Sequence, residues 1–93
     1  MLIVGEKINT VSPHVRHAVE GRDAAFIREL AIAQARASAD LIDVNVGSPL
    51  DVEPDHMRWA VELVQDAVDC PLAIDSPNPR TVRAGLEACR DSA

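Results

Sequence analysis

Apolar and polar positions along this chain repeat the same order three times: a short apolar run closed by polar residues, then a longer segment whose apolar positions recur every three or four residues. The first run, Met1 to Val4, contains β-branched Ile3 and Val4 and stops at Gly5, which predicts a buried strand near Leu2 to Val4. The second, Leu41-Ile42-Asp43-Val44-Asn45-Val46-Gly47, predicts a central strand over Leu41 to Val44, buried on both faces of a parallel sheet. The third, Pro71-Leu72-Ala73-Ile74-Asp75, predicts a strand over Leu72 to Ile74 that again ends in a carboxylate.

The intervening segments read as helices. Ser12-Pro13 supplies an N-cap and a proline at the first helical position for a short helix that runs to about Glu20 and stops at Gly21. Asp23 caps a longer one, to about Ser38, whose inner side is Ile27, Leu30, Ala31, Gln34 and Ala35 with Phe26 beside it; Arg28, Glu29 and Arg36 take the wet side. Pro54 opens a third helix, to about Val68, with Met57, Ala60, Val61, Val64, Ala67 and Val68 on one stripe and Trp59 and Leu63 at its borders. The last helix extends from about Pro79 to Arg90, with Val82, Leu86 and Cys89 turned inward and Gly85 allowing close approach. Trp59, the chain's one tryptophan, is assigned to packing rather than to ligand stacking.

Within the second run, Asp43 and Asn45 alternate, so both side chains point to one side of the sheet. A buried carboxylate is costly unless it is paired or hydrogen-bonded. Two readings follow: these residues line a polar site at the strand's carboxyl end, or they tie down amides of the loop that Gly47 begins. Parallel strands carry their ligands at their carboxyl ends. The first strand is followed by Gly5-Glu6-Lys7-Ile8-Asn9-Thr10, read as a polar loop, and the third by Ser76-Pro77-Asn78-Pro79, whose prolines keep Ser76 and Asn78 beside Asp75. Asn9, Asp43, Asn45 and Asp75 are therefore expected at one end of the sheet, as a concave, acidic cluster. Pro49 and the acidic residues Asp51, Glu53 and Asp55 mark the segment after the central strand as a loop in position to cover such a site.

Composition narrows the function classes. With 93 residues, 47% hydrophobic and 26% charged, the chain has a globular composition and is assigned as one small domain, residues 1–93. A chain of this length buries about 60 to 65% of the surface its unfolded form exposes, so its core is modest. The net charge of -6 and pI of about 4.8 argue against nucleic acid, which needs a dense basic patch. No apolar run approaches the roughly 18 residues that cross a bilayer, and no basic segment precedes the first apolar run, so a cytoplasmic protein without a membrane partner is expected. His14 and His17 share a helical face, but without a third ligand nearby they read as surface residues, and no metal site is assigned. Cys70 and Cys89 lack metal-ligand spacing and read as buried thiols.

The order strand, helix, strand, helix, strand, helix, with polar residues at the strands' carboxyl ends, is that of a β/α barrel. A complete barrel takes about 250 residues; here there are three units. The predicted fold class is α/β, the first three βα units of an incomplete TIM (β/α)8 barrel. Its open sheet edge invites pairing, and a homo-oligomer is the expected consequence.

Three segments carry a family resemblance: Gly5-Glu6-Lys7-Ile8-Asn9, Asp43-Val44-Asn45-Val46-Gly47 and Asp75-Ser76-Pro77-Asn78. Together, in order and at matching spacing over the whole chain, they resemble the pterin-binding methyltransferases. The match is best to the methyltetrahydrofolate:corrinoid protein methyltransferases, with the folate domain of cobalamin-dependent methionine synthase similar. Dihydropteroate synthase, with a Gly-rich segment after its second strand and an Asp-Thr pair at its third, resembles the chain less. The resemblance implies a barrel that takes methyltetrahydrofolate as substrate and exchanges its N5 methyl with cobalamin carried by a partner corrinoid protein. It implies Asp75, Asn78 and Asn45 as pterin-binding residues and Asn9, Asp43 and Ser76 as groups that order the site. The group near N5 would come from strands beyond this chain, so no catalytic residue is assigned within it. A rival reading is a non-catalytic barrel fragment that self-associates.

Overall fold

The computed structural model describes residues 8–10, 12–36, 42–69 and 72–89. Three short strands, β1 (Ile8–Asn9), β2 (Ile42–Asn45) and β3 (Leu72–Ile74), form one sheet in the order β1-β2-β3. Four helices connect and follow them: α1 (Pro13–Glu20), α2 (Ala24–Arg36), α3 (Glu53–Ala67) and α4 (Pro79–Ala88). Both pairings are parallel, with Ile8 opposite Val44, Asn9 opposite Asn45, and Ile42, Asp43 and Val44 opposite Leu72, Ala73 and Ile74. The ladder continues past the strands, because the Thr10 amide donates to the Asn45 carbonyl (3.1 Å) and the Asp75 amide to the Val44 carbonyl (3.0 Å).

The second and third strands lie where the apolar runs place them. The expected first strand, Leu2 to Val4, falls outside the described residues, as do Gly5, Glu6 and Lys7. Ile8 and Asn9, read as loop, instead form β1. Ile8 faces the helices and is fully buried beside Val44, so the polar Gly-Glu-Lys interruption in the sequence masked a residue the core needs.

The expectation that β2 is buried on both faces is corrected. Ile42 and Val44 are fully buried while Asp43 between them is exposed and Asn45 half-buried. The helices pack on the Ile42 and Val44 side: Ile8, Ile42 and Val44 join Val15 and Val19 of α1, Ile27, Leu30 and Ala31 of α2, and Met57, Ala60, Val61 and Val64 of α3 in one cluster. Burying one such aliphatic side chain is worth about 1.5 to 3 kcal/mol, so this face supplies the driving force for folding. Nothing among the described residues covers the other face, and there the sequence spends polar residues.

Helix boundaries follow their local chemistry. Pro13 starts α1, although the Ser12 side chain makes no capping bond. Asp23 Oδ1 accepts from the Phe26 amide at 3.2 Å at the start of α2. The turn between α1 and α2 is made by Arg22, at φ 55°, rather than by Gly21, at φ -90°. Arg22 sets its guanidinium 5.1 Å from the Trp59 ring centroid, and the half-buried indole packs against the core as assigned. His14 and His17 lie exposed on α1. Cys89 is half-buried, and burial pushes its thiol pKa up; Cys70 lies outside the described residues.

Helix α4 sits differently from its predicted orientation. Thr81, Ala84 and Gly85 are buried, whereas Leu86 is 53% exposed and Val82 half-buried. The small side is turned inward because α4 packs tightly on β3 and α3. A Cβ on Gly85 would lie 2.8 Å from Ile74 Cδ1 and 2.9 Å from Ile74 Cγ2, both shorter than real contacts allow, and 3.0 Å from Met57 Cγ, which is very tight. Gln65 of α3 also donates to the Ala88 carbonyl (2.6 Å), satisfying an end carbonyl of α4. Replacing Gly85 with valine is therefore expected to lower stability by about 2 kcal/mol, the cost of overpacking a filled core. Urea unfolding measures it, and an unchanged midpoint would contradict the tight α3–α4–β3 packing.

Candidate functional site

Register places three of the expected residues at one level. Asn9 lies opposite Asn45 on the adjacent strand, and Asn45 Nδ2 donates to Asp75 Oδ2 at 3.3 Å across the next. Asp43 points to the same face two residues earlier, opposite Ala73. The uncovered face of the sheet thus presents Asn9, Asn45 and Asp75 along its carboxyl end, with Asp43 behind them.

Asn45 takes the loop-tying role that the sequence left open and also reaches across to the next strand. Its Oδ1 accepts from the Gly47 amide at 3.0 Å and fixes the turn, while its Nδ2 reaches Asp75. A Cβ at Gly47 would come within 3.2 Å of Thr10 Oγ1 and 3.4 Å of Asn45 Oδ1, so glycine lets the turn lie close over the strand ends. Asp43 and Asp75 are exposed, on an open face and not in an enclosed cup.

Ser76 and Asn78 point to other work. Asn78 Oδ1 accepts from the Arg80 amide (3.1 Å) and caps α4, and the Asn78 amide donates to Ser76 Oγ (3.0 Å). The Ser76 hydroxyl in turn donates to Glu53 Oε1 at 2.7 Å. An open depression on this flank, lined by Ser76, Pro77, Pro79, Val82, Arg83, Leu86 and Glu87, shares only Ser76 with the expected site.

Glu53 is the residue the sequence reading missed. The sequence places it in the loop after the central strand, yet it is the first residue of α3 and only 5% exposed. Burial alone would raise its pKa. The hydrogen bonds from the Ser76 hydroxyl and the Ser48 amide (3.0 Å), the nearby Thr81 hydroxyl and the charge of His56 outweigh that, and its carboxyl lies below the ordinary value of 4.5. Thr81 Oγ1 is buried beside this carboxylate without a partner at good hydrogen-bonding geometry; its dipole acts without a full bond. His56 Nδ1 is 2.8 Å from Ser48 Oγ, whose own proton goes to the Val46 carbonyl, which assigns the imidazole proton to Nδ1. Burial first, then the Arg22 charge, lowers the His56 pKa against the opposing pull of Asp55, Glu20 and Glu53. The only local clue to Glu53 was Ser48 five residues before it; its other partner, Ser76, is 23 residues away.

The arrangement is that of a parallel βα protein with carboxylate and carboxamide groups at its strands' carboxyl ends, a class that binds small polar ligands there. No family model matches the chain. It is 46% identical over 90 residues, 97% of its length, to a methylcorrinoid:tetrahydrofolate methyltransferase of Eubacterium limosum. The chain spans 33% of that protein's length.

The Glu53 pKa makes acid stability a test. Because the folded value lies below the unfolded one, the stability that Glu53 contributes is complete above about pH 4.5 and is lost as pH falls through the folded pKa. The gap in urea midpoint between wild type and Glu53→Gln is expected to be full at neutral pH and to shrink below pH 4.5. A gap independent of pH would show that the carboxylate is not held ionised by these bonds.

Proposed function

We propose that this chain supplies the first three βα units of a pterin-binding (β/α)8 barrel that moves a methyl group between the N5 position of tetrahydrofolate and a corrinoid protein, in the cytoplasm. The carrying observation is the identity to the E. limosum methyltransferase, joined to a sheet end where Asn9, Asn45 and Asp75 lie side by side on the uncovered face. In a barrel, that face is the interior.

Asp75 accepts N–H bonds from the edge of the pterin ring, since a fixed carboxylate makes charge-assisted bonds to such donors. Asn45 already donates to Asp75, so it orients the carboxylate and offers its own dipole beside it. Asn9 and Asp43 extend the polar wall. Ser76 and Asn78 shape the turn that carries Asp75, a supporting part rather than direct contact, because Asn78 Oδ1 is engaged at the helix cap. The tertiary amine left behind when the methyl departs is a poor leaving group until N5 is protonated or hydrogen-bonded. No described residue is placed for that step, and it falls to later strands. The corrinoid cobalt of the partner supplies the other methyl-carrying centre. The Asn-Val-Gly after Asp43-Val44, in place of a Gly-rich segment, favours this reading over a dihydropteroate synthase. The sheet edges left unpaired among the described residues favour self-association.

In the barrel-length protein, Asp75→Asn is expected to weaken tetrahydrofolate binding roughly tenfold to a hundredfold, since a hydrogen bond to a charged group is worth about 1.5 to 3 kcal/mol. The 93-residue chain alone is expected to transfer no methyl group. Isothermal titration with methyltetrahydrofolate, followed by a turnover assay with a reduced corrinoid protein, measures both. Wild-type affinity in Asp75→Asn would remove Asp75 from the site, and turnover by the isolated chain would show that its copies complete the site themselves.

A further inference from the structure

The β2–α3 and β3–α4 turns meet at one buried side chain. Glu53 Oε2 accepts from the Ser48 amide at 3.0 Å, and Glu53 Oε1 accepts from the Ser76 hydroxyl at 2.7 Å. Ser48 stands three residues after Asn45, and Ser76 directly follows Asp75. Asn45 and Asp75, which touch at 3.3 Å, are thus each continued into a turn that ends on the same carboxylate.

We propose that Glu53 is a positioning residue that clasps these two turns and thereby fixes the separation of Asn45 and Asp75 for ligand binding. The inference rests on the pterin-site reading for its functional consequence and on the geometry alone for the clasp.

A carboxylate suits this place because two donors from different turns each need their own acceptor. The Ser48 amide cannot turn away, and Ser76 Oγ already accepts from the Asn78 amide (3.0 Å), which leaves its proton aimed at Glu53. Glutamine keeps the size and offers one acceptor oxygen: with that oxygen on the Ser48 amide, its NH2 group faces Ser76 Oγ and the Ser76 proton loses its partner. Aspartate is one methylene too short to hold both turns. Both Glu53 oxygens are engaged by Ser48 and Ser76, so its effect on a ligand passes through those two residues.

The test compares wild type, Glu53→Gln, Ser76→Ala and the double variant in the barrel-length protein, with unfolding midpoints, backbone amide exchange and tetrahydrofolate affinity measured well below every midpoint. In Glu53→Gln, the amides of Ser48 or Asn78 are expected to exchange about tenfold faster, with amides inside α2 unchanged, and folded protein to bind tetrahydrofolate about tenfold more weakly, equivalent to about 1.4 kcal/mol. The double variant is expected to bind no more weakly than Glu53→Gln, because both substitutions cut one connection. A Glu53 that only stabilises the fold would lower the midpoint and leave the affinity of folded molecules unchanged; that result, or wild-type exchange at both amides, overturns the proposal. If wild type itself binds no tetrahydrofolate, the pterin reading fails, and the exchange rates still decide the clasp. If Glu53→Gln does not fold, Ser76→Ala severs one arm alone and is judged on Asn78 exchange and on affinity by the same criteria.

Discussion

One-sided burial of a parallel sheet is the constraint on which this structure depends. Ile8, Ile42 and Val44 face the helices and are fully buried, and the alternation of side chains along a strand then forces Asp43 and Asn45 to the other face. Parallel pairing adds a second restriction, because it brings all the strands' carboxyl ends to one edge. Asn9, Asn45 and Asp75 converge for these two reasons together: antiparallel pairing would separate them, and burial of both faces would make their polarity costly.

The convergence is held by polar bonds that burial makes consequential. Asn45 bridges its own turn and Asp75, and Glu53 joins the turns behind them. A buried carboxylate with one donor missing would be a liability; with a backbone amide and a hydroxyl both donating, it fixes two connections at once. The surface ion pairs of Arg58 with Glu87 (3.4 Å) and Asp55 (3.8 Å) also bridge or line helices, but solvent screens them and they contribute little.

Helix α4 shows how packing sets the outer surface. Because Gly85 lies against Ile74 and Met57, the helix turns its small residues inward, and Leu86 with Val82 is left beside the prolines of the β3–α4 turn. This apolar flank adjoins β3, an edge strand among the described residues. In the proposed barrel it is the side on which a following unit would pack.

The sequence by itself determined the α/β class, the positions of the second and third strands, the starts of all four helices to within about one residue, and the polar strand ends. These follow from local chemistry: hydrophobic period, prolines at helix starts, and the capping side chain of Asp23. It also put Asn45 and Asp75 on a common edge, since parallel strands leave no other arrangement. Only the tertiary structure decided which face of the sheet is covered, that Ile8 and Asn9 pair as a strand, that α4 buries Gly85 rather than Leu86, and that Glu53 is buried. Each of these turns on contacts between residues far apart in the chain. Glu53 and Ser76 are separated by 23 residues, and Asn45 and Asp75 by 30, so no local pattern distinguishes an exposed helix-start glutamate from one that two distant turns enclose.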